Sequence, residues 1–277
     1  MSEHPELIGR RRRLPGAAGV ELAAVEYGPS EAPPVVLLHG IASRGVSWWP
    51  VLAPLAQEFR VIVLDLRGHG DSAKPDRGYL LPDFADDLSA ALAGLAIDRP
   101  RLLGHSLGAL VILEWAIAAP DRAAAIALED PPLRVRPDLL DAFDGWRQLA
   151  ALPVPRVAAY YQEEHPEWSA EECWRRAESI TATDPAVFAE LRTDAAARLE
   201  AGTVERFRDL ATIRSPTLLL YGDPAVGGML EHEDALRFQE QTVAGSLRRV
   251  AGGGHALHRE HAATFVDAVI PFLRAAG

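Results

Sequence analysis

The sequence predicts an α/β fold in which helices cover both faces of a largely parallel sheet. Short apolar runs of the fully buried kind alternate along the chain with longer segments of helical periodicity. The 277 residues are 48% hydrophobic and carry charges of both signs, which excludes a disordered chain. A single cysteine, Cys173, excludes a disulfide framework and a cysteine-rich zinc site.

The predicted strands are short and are bounded by glycine, proline or polar residues. The first covers 21–27 and ends at Gly28, and a continuous apolar run follows Pro33 and Pro34. Strands buried on both faces have such continuous runs, so the pattern favours parallel pairing. The predicted strands cover 21–27, 35–38, 60–64, 102–103, 125–128, 217–221 and 246–250, the last of them at a sheet edge.

Helical periodicity is found in the segments between these strands. The segment 107–118 is apolar on nearly all sides, which predicts a buried helix. The predicted helices cover 47–58, 83–95, 107–118 and 262–273.

Residues 133–210 interrupt the alternation, because the stretch is acidic and helix-forming and contains no convincing strand. We expect it to form a helical cap domain over the sheet, with 1–132 and 211–277 forming the core domain. Aromatic residues are spread through it, and Trp146, Tyr160 and Trp168 are predicted to bind substrate. The alternative is that these rings only pack inside the cap.

The net charge of -11 argues against nucleic acid as a partner. The basic block 10–13 is expected on a solvated edge strand or loop, because the apolar segment of an export signal does not follow it. No apolar run reaches the roughly 20 residues that span a bilayer. We therefore expect a cytoplasmic protein, monomeric or homodimeric, with no membrane partner.

The sequence Gly104-His105-Ser106-Leu107-Gly108 lies between a predicted strand and the apolar helix. A G-x-S-x-G motif in this context is typical of a tight turn that exposes a nucleophilic serine at the positive end of a helix dipole. A serine hydroxyl needs a neighbouring base. Among nine histidines the best candidate is His255, on a glycine-rich loop after the last predicted strand, whereas His258 is expected at the surface.

With three further blocks, His39-Gly40, 65–72 and Gly254-His255, the chain resembles the α/β-hydrolase fold superfamily over nearly its whole length. The resemblance implies a mostly parallel eight-stranded sheet, with helices on both faces and a helical cap inserted after the sixth strand. It also implies that the C-terminal loop delivers His255 to Ser106. The backbone N–H groups of Ile41 and Leu107 would then form the oxyanion hole.

The sequence offers three candidates for the triad acid. The usual position in the superfamily corresponds to Ala225 here, and a second position, just after the sixth strand, corresponds to Glu129-Asp130. We expect Glu129 to be the acid, with Asp130 and then Asp223 as alternatives. Adjacent residues at a strand end point in different directions, so at most one of the pair should contact His255.

A serine at the turn, where related dehalogenases and epoxide hydrolases have aspartate, implies an acyl-enzyme. The resemblance therefore implies a serine esterase, a carboxylic ester hydrolase acting on a hydrophobic small molecule. A lactonase, or a ligand-binding receptor on the same scaffold, is the alternative. No spacing typical of metal ligands is present, and neither a metal nor a cofactor is expected.

Overall fold

The sheet at the centre of the molecule has eight strands and is mostly parallel. The structure is a computed structural model that describes residues 8–207 and 209–275. The strands are β1 Arg10–Pro15, β2 Glu21–Tyr27, β3 Pro34–Leu38, β4 Arg60–Leu64, β5 Arg101–His105, β6 Ala125–Glu129, β7 Thr217–Tyr221 and β8 Gly245–Arg249. Their spatial order is β1-β2-β4-β3-β5-β6-β7-β8; β2 is antiparallel to β1 and β4, and all other neighbours are parallel. The predicted fold class is confirmed.

The helices surround this sheet. They are α1 Trp49–Glu58, α2 Leu81–Gly94, α3 Leu107–Ala118, α4 Asp138–Ala150, α5 Val154–Glu164, α6 Ala170–Thr181, α7 Pro185–Glu200, α8 His232–Gln241, α9 Leu257–Glu260 and α10 Ala262–Ala275. Helix α2 begins earlier than predicted because Pro82 is tolerated in a first turn, where its missing N–H would have no helical partner. None of the helices within residues 8–207 and 209–275 has both the length and the apolar character needed to cross a bilayer.

Each face of the sheet has its own core. In β3, Val36 and Leu38 pack on one side with residues of α2 and α3, while Val35 and Leu37 pack on the other with residues of α1 and α10. The side-chain period of two thus divides a continuous apolar strand between two cores. Helices cover both faces, as the sequence predicts.

The basic block lies on edge strand β1, and its arginine side chains are exposed, as expected. Arg10 and Arg12 reach the buried carboxylate of Glu26 on β2, at 2.8 and 3.2 Å. Arg60 on β4 lies 2.8 Å from the same group, and its hydrogen bond is the main reason why the pKa of Glu26 is lowered. Two arginines of the block therefore stabilise a sheet edge.

Four helices, α4 to α7, lie between β6 and β7, within the stretch that the sequence analysis assigns to a cap. Helix α4 packs against α7, and α5 packs against α6. No strand forms in the described part of 133–210, where only an isolated bridge joins Arg134 to Glu205. The division of the chain into a core domain and a cap domain stays a prediction.

Candidate active site

Ser106 lies at the sharp turn from β5 into α3. Its φ of 51° and ψ of -114° are rare for a residue with a side chain. Its N–H donates a hydrogen bond to the backbone oxygen of Glu129 at 2.9 Å, which ties the turn to the end of β6. The predicted strand–turn–helix context is therefore present.

Two glycines allow the chain to pass itself at this turn. A Cβ on Gly104 would lie 2.6 Å from the backbone carbonyl carbon of Gly108. A Cβ on Gly108 would overlap the backbone of Leu38 at the end of β3. Since backbone cannot move aside without displacing a strand, both positions require glycine.

His255, on the segment between β8 and α9, contacts the carboxylate of Asp130. The two atoms, His255 Nδ1 and Asp130 Oδ2, are 2.7 Å apart. A carboxylate only accepts hydrogen bonds, so Nδ1 carries the proton and the lone pair of a neutral ring is at Nε2. Ser106 and His255 line the same cavity, although no hydrogen bond joins them among the described residues. Such bonds often tighten only when substrate is bound.

Asp130 is held by more than His255. The backbone N–H groups of Met229 and Leu230 donate to its two oxygens at 2.7 and 3.3 Å, and the residue is fully buried. Its φ is 43°, a second strained value at this end of the sheet. Asp130 is thus fixed in the orientation in which its carboxylate accepts the hydrogen bond from His255 Nδ1–H.

The expected contact between Glu129 and His255 is wrong in this structure. Glu129 instead accepts hydrogen bonds from the backbone N–H and Nδ1 of His258, at 2.8 and 2.9 Å. Glu129 and Asp130 are consecutive, so their side chains point to different sides at the end of β6, and only one of them can contact His255. His258 is 1% exposed, which also corrects its expected surface position.

Asp223, the third candidate, lies elsewhere. Its carboxylate binds Arg249 at 2.7 Å, and that hydrogen bond lowers the pKa of Asp223. No contact with His255 is found among the described residues. Asp223, two residues after the end of β7, therefore forms an ion pair with Arg249 at the end of β8.

The predicted oxyanion donors, Ile41 and Leu107, line the cavity beside Ser106. A Cβ on Gly40 would lie 3.1 Å from the Cβ of Ser106, so the backbone before Ile41 runs directly past the serine. Leu107 is the first residue of α3, where an N–H has no acceptor within the helix. In the described ranges neither N–H donates to another protein group.

Three buried histidines, His39, His69 and His105, lie in the loops and strand ends around Ser106. His39 bonds the Gly40 oxygen through Nδ1 at 2.7 Å, and its Nε2 accepts from the Leu66 N–H at 3.1 Å. His105 donates through Nε2 to the backbone oxygen of His255 at 3.0 Å. Burial lowers the pKa of His39 to about 4, that of His69 to about 3, and that of His105 well below its usual value. These rings are therefore neutral near pH 7.

The cavity in front of Ser106 has a volume of about 470 Å³. Of the aromatic residues predicted to bind substrate, Trp146 lines it, and Tyr160 and Trp168 do not. Tyr160 is 41% exposed, and Trp168 stacks on His165 with a separation of 3.7 Å between ring centres. Tyr160 is on α5, whereas Trp168 lies in the connection between α5 and α6. The cavity wall formed by α4, α5 and α7 is mostly apolar, with Leu139, Phe143, Trp146, Tyr161 and Leu191.

Comparison with known proteins agrees with this architecture. The family model described as alpha/beta hydrolase fold matches residues 33–262. The chain belongs to the α/β-hydrolase fold family. In this hydrolase-fold chain the match includes Ser106, Asp130 and His255.

Two relatives and one solved structure show the range of named activities. A putative carbamate hydrolase RutD of Variovorax paradoxus is 31% identical over 258 residues, 89% of this chain and 94% of that protein. A 2-(acetamidomethylene)succinate hydrolase of Mesorhizobium japonicum is 32% identical over 150 residues and is matched over only 54% of its length. A thermophilic esterase from Thermogutta terrifontis superimposes with a TM-score of 0.78 at 23% identity, covering 96% of this chain and 99% of that one, which shows the shared fold.

Several residues that line the cavity of this hydrolase-fold chain carry no distinguishing signal in the sequence. Phe143 and Tyr161 were indistinguishable from other aromatics of the helical stretch, since nothing in a sequence marks which helix face meets a cavity. Arginines are mostly exposed, so their residue type does not mark Arg176 and Arg259 as residues that line a cavity. The available signal for Arg259 was its position, four residues after His255 on the same segment.

Proposed function

We propose that the protein is a serine hydrolase that cleaves carboxylic esters of hydrophobic small molecules through an acyl-enzyme on Ser106. The observation that carries the proposal is the 2.7 Å contact between His255 Nδ1 and Asp130 Oδ2, in a cavity that also contains the strained Ser106. Membership of a hydrolase-fold family, with esterases among its solved relatives, supports it. Asp130 takes the acid role for which Glu129 was expected.

In the first half of the reaction, His255 Nε2 accepts the Ser106 proton as the hydroxyl oxygen attacks the ester carbonyl. Asp130 keeps His255 in the required tautomer and stabilises the imidazolium that forms. The Ile41 and Leu107 N–H groups donate to the developing oxyanion, helped by the N-terminus of α3. His255 then returns the proton to the departing alcohol.

In the second half, water replaces the alcohol. His255 removes a proton from the water, the hydroxide attacks the acyl carbon, and the Ser106 oxygen leaves with the proton from His255. The apolar wall around Trp146 and Phe143 supports a substrate with a hydrophobic part, because burying apolar surface stabilises the bound state.

Covalent labelling of Ser106 and the kinetics of ester hydrolysis test the proposal. A fluorophosphonate probe should label the protein once per chain, and Ser106→Ala should abolish labelling and lower kcat for 4-nitrophenyl esters at least about a thousandfold. Ser30→Ala, at an exposed loop serine, is the matched control and should behave as the parent protein. Unchanged ester turnover by Ser106→Ala would disprove the mechanism.

Carbamate cleavage is the second candidate, and the relative named as a putative carbamate hydrolase favours it, since the match covers 94% of that protein. The same serine attack on a carbamate carbonyl would give a carbamoyl-enzyme. A panel that pairs each alkyl ester with the carbamate of the same alcohol distinguishes the two. Faster turnover of the carbamates would replace the ester assignment while keeping the same catalytic residues.

A further inference from the structure

A second group of polar side chains borders the cavity beside the serine and histidine. It comprises Ser47, Arg176 on α6, and His258 and Arg259 on α9. Each has a buried polar atom without a hydrogen-bond partner among the described residues: Ser47 Oγ, Arg176 Nε, His258 Nε2 and Arg259 Nε. Buried polar atoms are nearly always paired, so four unpaired ones around one cavity indicate a place for a polar ligand.

The charges around the cavity do not balance. Four arginines and two glutamates line it, although the whole chain has a net charge of -11. Arg175 pairs with Glu171, and Arg176 lies 3.6 Å from Glu172. Arg206 lies 3.9 Å from Asp194 and donates through Nε to the Pro132 oxygen at 3.1 Å.

Arg259 differs from these arginines. It lines the cavity and has no ion-pair partner within 4.0 Å in the described part of the chain. Glu260, its neighbour, is occupied by the backbone N–H groups of Gly254 and Ala256, at 2.7 and 3.2 Å. Burial lowers the pKa of Arg259 to about 10, which leaves the guanidinium charged near pH 7. Glu129, Glu172 and Glu260 act on this charge through space without a contact within 4.0 Å, so a bound anion in direct contact would offset part of the cost of burying it.

The position of the group relates it to the reaction. Arg259 follows His255 by four residues on the segment that also contains the Asp130 contact. Arg176 is held over the ring of Trp168, 4.0 Å from its centre, which restricts the guanidinium. A ligand spanning the cavity would therefore meet Ser106 with one part and these guanidinium groups with another.

We propose that Arg259, assisted by Arg176, binds a carboxylate of the substrate, so that the ester cleaved at Ser106 carries a second, ionised carboxyl group. This inference rests on the proposed function, whose substrate class it narrows. A guanidinium pairs with a carboxylate in a bidentate manner. A singly charged carboxylate suits this site better than a doubly charged phosphate, because the carboxylates of Glu129, Glu172 and Glu260 already act on Arg259 through space and would repel the higher charge more strongly.

The kinetic test compares mono-4-nitrophenyl glutarate with neutral 4-nitrophenyl pentanoate. Arg259→Gln should lower the ratio of kcat/KM for the anionic ester to that for the neutral ester at least tenfold, mainly through a higher KM. Arg259→Lys should keep part of the ratio, because the charge remains without the planar fork. Arg214→Gln removes a positive charge at a side chain that is 70% exposed, and this control should keep the parent ratio.

A binding test makes the result independent of turnover. Titration calorimetry with glutarate on Ser106→Ala should show binding, and adding Arg259→Gln should weaken it at least tenfold. If neither ester is hydrolysed but this loss is seen, the proposed function fails and the anion site stands. Inorganic phosphate should bind more weakly than glutarate.

Two results overturn the inference. The first is an unchanged ester ratio together with unchanged glutarate binding in the Arg259→Gln and Arg259→Lys variants. The second is phosphate binding as tight as glutarate binding, which would reject the carboxylate. Melting curves of each variant show whether a loss of binding or activity comes from misfolding. A misfolded fraction lowers kcat/KM for both esters equally, so it leaves their ratio unchanged.

Discussion

Ser106 and Asp130 both have positive φ values, 51° and 43°, although neither is glycine. Each such conformation costs about 1–3 kcal/mol and persists only where the surroundings enforce it. For Ser106 the enforcing contacts are the glycines at the turn and the N–H bond to Glu129. For Asp130 they are the Met229 and Leu230 N–H groups. The strain thus coincides with the two residues that the proposed mechanism positions most tightly.

Asp130→Asn should lower kcat for ester hydrolysis by about 10³- to 10⁴-fold with folding intact. The amide keeps the shape of the side chain but neither holds the imidazolium nor fixes the Nδ1–H tautomer of His255. Steady-state kinetics with a 4-nitrophenyl ester measure the effect. Full activity in Asp130→Asn would show that another group orients His255.

Glu129→Gln is expected to act on stability more than on chemistry. The carboxylate accepts two hydrogen bonds from His258 and none from His255, so its loss should lower the free energy of unfolding by about 1–3 kcal/mol. Urea denaturation measures this loss, and kcat should fall far less than in Asp130→Asn. A greater fall in kcat than Asp130→Asn shows would return the acid role to Glu129.

At the scale of elements, two carboxylate–histidine pairs fasten the end of β6: Asp130 pairs with His255 on the loop before α9, and Glu129 pairs with His258 on α9 itself. The β5 end adds a third link, from His105 Nε2 to the His255 oxygen. A segment fastened at several points loses little freedom when substrate binds. These links explain how a loop between β8 and α9 positions a base.

Glycine substitutions separate the serine turn from ordinary helix effects. Gly108→Ala should lose several kcal/mol of stability and most activity, because its Cβ overlaps the Leu38 backbone. Gly145→Ala, in the interior of α4, meets no atom within 4 Å and should gain up to about 1 kcal/mol from helix propensity. Thermal denaturation compares the two. Equal tolerance of both substitutions would contradict the close approach of α3 and β3.

In the whole molecule, the site is assembled where parallel strands end together. Ile41 follows β3, Ser106 follows β5, Asp130 follows β6 and His255 follows β8, so residues far apart in sequence meet at one edge. Ligand sites of open α/β sheets lie at this carboxyl edge. The sheet order therefore accounts for the meeting of these four residues before any side chain is considered.

Only part of this site could be predicted from the sequence. Ser106 and His255 could be found because a tight turn and a glycine-rich loop mark them in the sequence. The choice between Glu129 and Asp130 depends on the φ of one strand-end residue, which composition and spacing do not encode. Tyr160 and Trp168 do not line the cavity, because the aromatic residue type alone does not show which side of a helix or turn meets it.

Stability in mild acid follows from the buried histidines. His39 and His69 are 0% exposed, and burial lowers their pKa values from 6.5 to about 4 and about 3. Above pH 6.5 both states hold these rings neutral, and their contribution to stability is complete. As the pH falls below 6.5, the unfolded chain binds protons that the folded chain does not, so stability decreases.

Each of these two rings should therefore cost about 1.5 kcal/mol between pH 6.5 and pH 5, a window above the titration of most carboxylates. Urea denaturation at several pH values measures the slope of unfolding free energy against pH. His69→Asn should reduce that slope by about 1 kcal/mol per pH unit, because one proton-binding difference is removed. His165→Asn, at a side chain 40% exposed, is the matched control and should keep the parent slope. If the unfolding free energy of the unmutated protein did not change between pH 6.5 and pH 5, water would have to reach His39 and His69. The loops that His39 joins by its hydrogen bonds to Gly40 and Leu66 would then be less tightly packed than those bonds indicate.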